Sequence, residues 1–180
     1  WQEDIGAVTE LLDHTPNSPA VLFDAIPGYP RGYRVLSNAN ATRTRQAITL
    51  GLDPATASHE TLLAWWRRTL RQLEPLPPVE VPDGPVFEVV QRGDEVDLYQ
   101  FPAPVWHPGD GGRFIGTASL NILRDPDTGW VNVGTYRNMI QDRNHLGVWI
   151  SPGKHGRLIR DRWQERGERA PICVSVGHDP

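Results

Sequence analysis

The residues best suited to chemistry are concentrated between Trp130 and His155. Trp130-Val-Asn-Val-Gly-Thr-Tyr-Arg137 has the alternation of a strand, with Asn132, Gly134 and Tyr136 on one face and Val131, Val133, Thr135 and Arg137 on the other. Asparagine offers an amide oxygen to a cation, and arginine a planar fork that orients a carboxylate and stays charged at every working pH. Gly134 removes a side chain, which lets a ligand or another backbone approach closely. Pro152-Gly-Lys-His-Gly156 follows, with two glycines flanking a Lys-His pair where a strand gives way to a helix. Free backbone N–H groups at such a place, helped by Lys154, suit a phosphate. His155 is a candidate ligand for a metal or cofactor. Each piece alone has a plainer reading: an exposed strand with incidental Asn and Arg, and a surface turn opening a basic helix. The specificity lies in their combination.

The elements that must position these residues can be read from periodicity and breakers. The hairpin signal is Asp125-Pro-Asp-Thr-Gly129 between the β-rich runs Phe114–Arg124 and Trp130–Asn138. The spacing predicts that these runs pair antiparallel. His145–Ser151 reads as a further strand, 155–166 as a helix with Leu158, Ile159 and Trp163 inward, and Ile172–Val176 as a last strand. Val86–Val90 and Val96–Phe101 are also expected to be strands. Earlier in the chain, Ile5, Val8, Leu11 and Leu12 have helical spacing, Val21–Ile26 and Tyr33–Ser37 read as short strands, and 41–50 as a helix stopped by Gly51. Ser58 opens the clearest helix, with Leu62, Trp66, Leu70 and Leu73 on one face. Five prolines between Pro75 and Pro85 forbid helix and mark an extended connection. Strands in series with flanking helices indicate an α+β fold rather than regular βαβ winding.

The run Asn132-Val-Gly-Thr-Tyr-Arg137, followed by Gly147-Val-Trp-Ile150 and Lys154-His-Gly156, resembles the cofactor-binding signature of the UbiD family of decarboxylases. Trp106-His-Pro-Gly-Asp-Gly-Gly-Arg-Phe-Ile115, Leu22-Phe-Asp-Ala-Ile-Pro-Gly-Tyr-Pro30 and Pro171-Ile-Cys-Val-Ser-Val-Gly-His-Asp-Pro180 resemble other segments of that family, in the right order. The resemblance implies an N-terminal α/β lobe over residues 1–78. It also implies an incomplete flavin-reductase-like split β-barrel over 79–180 that binds prenylated FMN. Asn132 and His155 are then expected to hold Mn2+ or Mg2+, and the backbone carbonyl of Trp130 is expected to hold K+. Thr135, Tyr136, Arg137, Trp149, Ile150, Ser151, Lys154 and His155 are expected to line the flavin, and Arg137 to face the substrate carboxylate.

The implied reaction is reversible, non-oxidative decarboxylation of an aromatic or α,β-unsaturated acid, with the cofactor supplied by a flavin prenyltransferase. A homo-oligomeric, cytoplasmic enzyme is expected at full length. In the family the third metal ligand, a glutamate, and the acids serving Arg137 and the proton transfer follow the segment matched by residues 171–180. The chain is therefore expected to be the N-terminal portion of such an enzyme and inactive alone. A flavin-binding or assembly module without decarboxylase activity is the alternative.

Composition narrows the field further. The chain has 180 residues, 38% hydrophobic content and a net charge of −4, within the range of one ordinary domain or two small lobes. No apolar run approaches the ~20 residues that span a bilayer. Acidic residues interspersed among the arginines leave no continuous basic face, so nucleic-acid binding is not expected. Cys173 is the single cysteine, which excludes an internal disulfide. His14, His59 and His145 read as surface residues, and His107 with Asp110 as part of a turn. Trp65, Trp66 and Trp163 read as core or lobe-interface residues.

Overall fold

The computed structural model describes residues 1–74, 76–77 and 79–177. Pro75 and Pro78 of the proline-rich connection, and His178 to Pro180 of the closing family-like segment, lie outside the described residues. The architecture is α+β, in two compact units that interleave along the chain. One unit comprises Trp1–Ala7, Asp24–Val35 and Asp97–Pro180, and the other Val8–Phe23 and Leu36–Val96.

Helix α1 (Gln2–Asp13) opens the chain and contributes residues to both units. Strands β1 (Val21–Phe23) and β2 (Val35–Ser37) form a two-stranded sheet. Helix α2 (Arg43–Thr49) is capped by the Thr42 hydroxyl, which accepts from the Arg45 amide. Helix α3 (His59–Gln72) is the one signalled by Ser58, whose hydroxyl accepts from the Thr61 amide while Thr61 accepts in return from the Ser58 amide. The anticipated apolar face of α3 is only partly inward. Leu62 is buried, but Trp66, Leu70 and Leu73 are 46%, 65% and 63% exposed. Periodicity establishes which side of a helix is apolar; it does not supply a neighbour to cover that side.

In the larger unit, β3 (Phe114–Gly116), β6 (Asn138–Ile140) and β7 (Leu146–Val148) form one antiparallel sheet in the order β3-β6-β7. The second sheet has the order β5-β4-β8, built from β4 (Leu120–Arg124), β5 (Val131–Gly134) and β8 (Ile172–Ser175). These two three-stranded sheets are the incomplete barrel, and no closed barrel exists among the described residues. Helix α4 (His155–Glu165) packs on β4 and β5 and ends at Gly167, whose φ of 72° suits a left-handed cap. The unit's core holds Ile5, Ile26, Ala103, Leu123, Ile140, Ile150 and Ile159.

The anticipated hairpin forms in its inner part, with Asn121 opposite Gly134 and Arg124 opposite Val131. Asp125 closes it: its carboxylate accepts the Asp127 and Thr128 amides at 2.9 and 3.0 Å, and its own amide donates to the Trp130 carbonyl at 2.8 Å. The outer parts behave differently from the expectation of two continuous strands. Residues 117–119 and 135–137 leave the ladder, and β3 and β6 pair with each other in the other sheet. One long hairpin therefore turns a corner between sheets.

Two further expectations are corrected. Val86–Val90 and Val96–Phe101 are not strands; 3-10 turns occupy Pro85–Phe87, Gly93–Glu95 and Leu98–Gln100. Pro85 sits at the first helical position of its turn, and the Asp97 carboxylate caps the Tyr99 amide at 3.0 Å. Those local hydrogen bonds win where no strand is available to pair with. Trp163 is half-buried and ties α4 down by donating its Nε1–H to the Arg124 carbonyl at 2.9 Å.

Candidate cofactor and metal site

Tyr136 organises the site. Its ring lies against two glycines: a Cβ on Gly134 would come within 2.6 Å of the Tyr136 hydroxyl, and one on Gly156 within 2.8 Å. The hydroxyl accepts the Gly156 backbone N–H at 3.2 Å and the Asn132 Nδ2–H at 3.4 Å. One phenol thus fastens the first turn of α4 to β5, satisfying a helix-terminal N–H that lacks an intrahelical partner. The same latch brings His155 to the strand that carries Asn132, and the His155 imidazole meets the Trp130 ring edge-on at 5.0 Å. A metal shared by Asn132 and His155 demands that the two converge on one cavity; the structure places both in the surroundings of Tyr136.

The donor set fits a hard or borderline cation. Asn132 is 7% exposed, and engagement of its Nδ2 by Tyr136 leaves Oδ1 as the atom available to a metal. His155 contributes an exposed imidazole nitrogen at the start of α4. Two protein donors are fewer than a divalent ion takes, and no group of three or more His, Cys, Asp or Glu side chains occurs among the described residues. The Trp130 carbonyl already accepts the Asp125 amide, so a monovalent cation there has one shared oxygen.

The other expected residues divide by exposure. Thr135, Arg137, Trp149, Ser151 and Lys154 are exposed, whereas Ile150 is a core residue at 7% and can offer a ligand only its backbone. Lys154 is the residue preceding the first turn of α4, where the helix dipole and free amides favour an anion. The Arg137 guanidinium lies 5.8 Å from the Phe114 ring centroid.

Sequence reasoning missed two supports. Asp125 is buried and also receives the Arg162 guanidinium, which locks α4 to the hairpin; Arg166 makes a second tie to Asp127. The Thr128 amide is the main influence holding the Asp125 carboxyl below its ordinary range, with the Asp127 amide and Arg162 adding to it against the cost of desolvation. The other support is a buried polar cluster, Ser119, Asn121 and Asn138, gathered on the Tyr136 carbonyl. Its signal was available: Asn121 takes an inward position of β4 beside Leu123, a polar residue where the alternation wants an apolar one.

Elsewhere, His14, His59 and His145 are exposed as expected. His107 belongs to the anticipated turn, its amide donating to the Asp110 carboxylate at 3.0 Å. A cavity of about 410 Å³ in the same unit is lined by Trp1, Tyr29, Tyr33 and Tyr99 and includes none of the expected site residues.

A strand and a helix start joined through a tyrosine, beside two antiparallel three-stranded sheets, define an α+β chain of the split-barrel kind. Residues 78–180 match the Rift-related domain of 3-octaprenyl-4-hydroxybenzoate carboxy-lyase, UbiD, and residues 1–65 match the N-terminal domain of the same family. The chain belongs to the UbiD family.

Among curated relatives, it is 33% identical over 98% of its length to pyrrole-2-carboxylic acid decarboxylase of Pseudomonas aeruginosa. It is also 33% identical over 98% of its length to ferulic acid decarboxylase 1 of Saccharomyces cerevisiae. It covers 36% and 37% of those proteins, so it spans well under half of either. Among solved structures, the prFMN complex of an evolved dimeric form of the UbiD-class enzyme HmfF from Pelotomaculum thermopropionicum superposes with a TM-score of 0.83. That match has 28% identity and covers 99% of this chain and 39% of the other. The closed form of vanillic acid decarboxylase from Sedimentibacter hydroxybenzoicus gives a TM-score of 0.87 at 26% identity, covering 98% of this chain and 38% of the other. Among the described residues no helix is long and apolar enough to cross a membrane.

Proposed function

We propose that this chain is the cofactor-binding N-terminal part of a UbiD-type carboxy-lyase that removes CO2 reversibly from an aromatic or α,β-unsaturated acid. The observation that carries the reading is the Tyr136 bridge, which joins Asn132 to the start of α4, where His155 and Lys154 lie. Family membership and the prFMN bound by the related HmfF enzyme support it.

On this reading Asn132 Oδ1 and a His155 nitrogen would hold Mn2+ or Mg2+, whose positive charge would favour binding of an anionic cofactor. The first turn of α4 and Lys154 add amide donors and positive charge for the same anion. Thr135, Tyr136, Trp149, Ser151 and the Ile150 backbone line the flavin. When bound, prenylated FMN supplies the electron sink that breaking the C–CO2 bond requires. Arg137 grips the substrate carboxylate with two parallel N–H donors and holds it in one orientation. The proton donor and third metal ligand belong to the family segment following the one matched by 171–180. The Trp130 carbonyl would offer K+ an oxygen already shared with the Asp125 amide within the hairpin. The division into a lobe of residues 1–78 and a cofactor domain of 79–180 follows the two separate family matches, whereas the compact units group Trp1–Ala7 and Asp24–Val35 with Asp97–Pro180. Supply by a flavin prenyltransferase, homo-oligomerisation and a cytoplasmic location are proposed on family resemblance alone.

The test is CO2 release by the full-length protein, co-expressed with a flavin prenyltransferase, across a panel of aromatic and acrylic acids. Release with at least one acid, abolished by Arg137→Ala, supports the reading; the 180-residue chain alone should release none. A cofactor-loaded full-length protein that releases CO2 from no acid in the panel would overturn it in favour of a flavin-binding module.

A further inference from the structure

The corner where the hairpin passes from one sheet to the other is held by side chains that no strand register requires. Three donors converge on the Tyr136 carbonyl: Asn138 Nδ2 at 2.8 Å, Asn121 Nδ2 at 2.9 Å and Ser119 Oγ at 3.3 Å. Both amides also donate to the Ser119 hydroxyl, at 2.7 Å from Asn138 and 3.4 Å from Asn121. Ser119 is 2% exposed, and Asn121 and Asn138 are fully buried. Gly116 makes the room: a Cβ there would lie 2.5 Å from the Ser119 hydroxyl and 3.0 Å from Asn138 Nδ2.

This cluster is more than the carbonyl needs and costs the fold something elsewhere. A carbonyl oxygen has two lone pairs, yet three side chains address it. In the same arrangement Asn121 Oδ1 and Asn138 Oδ1 are buried with no hydrogen-bond partner. Turning either amide over would set its oxygen against the Tyr136 carbonyl, so the N–H groups must face inward. Burying an unpaired amide oxygen is unfavourable, and a leucine at either position would avoid it. Stability alone therefore does not account for both asparagines. Their common effect is to immobilise the Tyr136–Arg137 peptide plane, which sets the direction in which Arg137 leaves the backbone.

We propose that Ser119, Asn121 and Asn138 are positioning residues for Arg137: by clamping the Tyr136 carbonyl they aim the guanidinium fork at the substrate carboxylate. The inference rests on the carboxylate-binding role proposed above for Arg137. It requires that weakening the clamp damage recognition of the carboxylate specifically, rather than ligand binding in general.

Benzoate and its neutral isostere benzamide make that distinction, measured as dissociation constants on the full-length protein loaded with prenylated FMN. Asn138→Leu and Asn121→Leu are each expected to reduce the preference for benzoate about tenfold, while flavin content and benzamide affinity hold; misplacement by about 1 Å has effects of that order or larger. Ser119→Ala removes the hydroxyl shared by both amides with almost no change in volume, and is expected to reduce the preference about threefold, in keeping with its longer bond. Arg137→Ala should abolish the preference. Should it instead persist in Arg137→Ala, the carboxylate reading itself fails, and the positioning role with it. A preference lost in Arg137→Ala but intact in Asn138→Leu and Asn121→Leu would overturn the positioning role alone. Where the leucine variants do not fold, an undiminished preference in Ser119→Ala has the same consequence.

Discussion

The two units solve the same problem of burial in opposite ways. The smaller unit keeps little inside beyond Ala47, Leu62 and the serines Ser18 and Ser37, and leaves the apolar side chains of Trp66, Leu70 and Leu73 exposed along α3 and its C-terminal cap. Its local order comes from backbone contacts: the Arg45 guanidinium donates to the carbonyls of Asn17, Ser18, Asn38 and Ala39. Among the described residues, the larger unit buries seven of the nine core hydrophobic residues, and with them Ser119, Asn121, Asp125, Asn132 and Asn138. Polar groups buried in this way give geometry rather than bulk cohesion. The candidate site lies in the larger unit, whose buried polar residues include amides and a carboxylate, whereas those of the smaller unit are two serines.

The comparison is tested hardest at Arg137. In the full-length enzyme Arg137→Lys should lose on the order of 100-fold in kcat, nearly as much as Arg137→Ala, because lysine keeps the charge without the fork. Near-normal turnover by the lysine variant would return Arg137 to the status of a solvated residue. Asn132→Ala and His155→Ala should release bound manganese and flavin together while the protein stays folded. The hydrogen bond lost from Asn132 is long, and such a bond contributes about 1 kcal/mol or less. Full metal and flavin occupancy in both variants would place the site elsewhere.

Within the smaller unit, Leu62→Ala should cost about 2–4 kcal/mol by leaving a cavity, whereas Leu70→Ala should change stability by about 0.5 kcal/mol or less. Urea melts of the two variants decide the matter. Equal losses would mean that the α3 face is covered in solution.

Glycines sharpen the contrast between units. Gly134→Ala drives a methyl into the Tyr136 ring and is expected to cost about 1–3 kcal/mol, together with some manganese affinity. Gly84→Ala in the smaller unit meets nothing within 4 Å and should be silent.

The smallest effect concerns acid. The Asp125 carboxyl is held below its ordinary value of 3.8, chiefly by the Thr128 amide, so the folded chain binds fewer protons there than the unfolded one. Its contribution is present above that pH and is lost as pH falls below it. Asp125→Asn should flatten this acid limb of a pH-stability profile; an unchanged limb would assign acid sensitivity to other carboxylates.

Much of the local structure was legible because local chemistry determines it. Ser58 capping α3, Gly51 following α2 and the Asp125–Gly129 turn each depend on groups a few residues apart. Asn132, Arg137 and His155 were singled out as residue types with suitable chemistry and by family resemblance, and the structure puts Asn132 and the start of α4 on one tyrosine hydroxyl. Several features depend instead on partners distant in sequence. The apolar, β-branched run Val86–Val90 resembles a strand, yet a strand exists only where another offers a ladder. The breaks at 117–119 and 135–137 follow from β3 choosing β6 over the continuation of the hairpin. Seating Tyr136 between Gly134 and Gly156, and directing Ser119, Asn121 and Asn138 onto one carbonyl, needed the whole corner assembled. Sequence alone determined which groups the chain can bring to a ligand, because side-chain chemistry and short-range caps are local. The tertiary structure decided where those groups point, because a peptide plane is aimed by whatever packs and hydrogen-bonds around it.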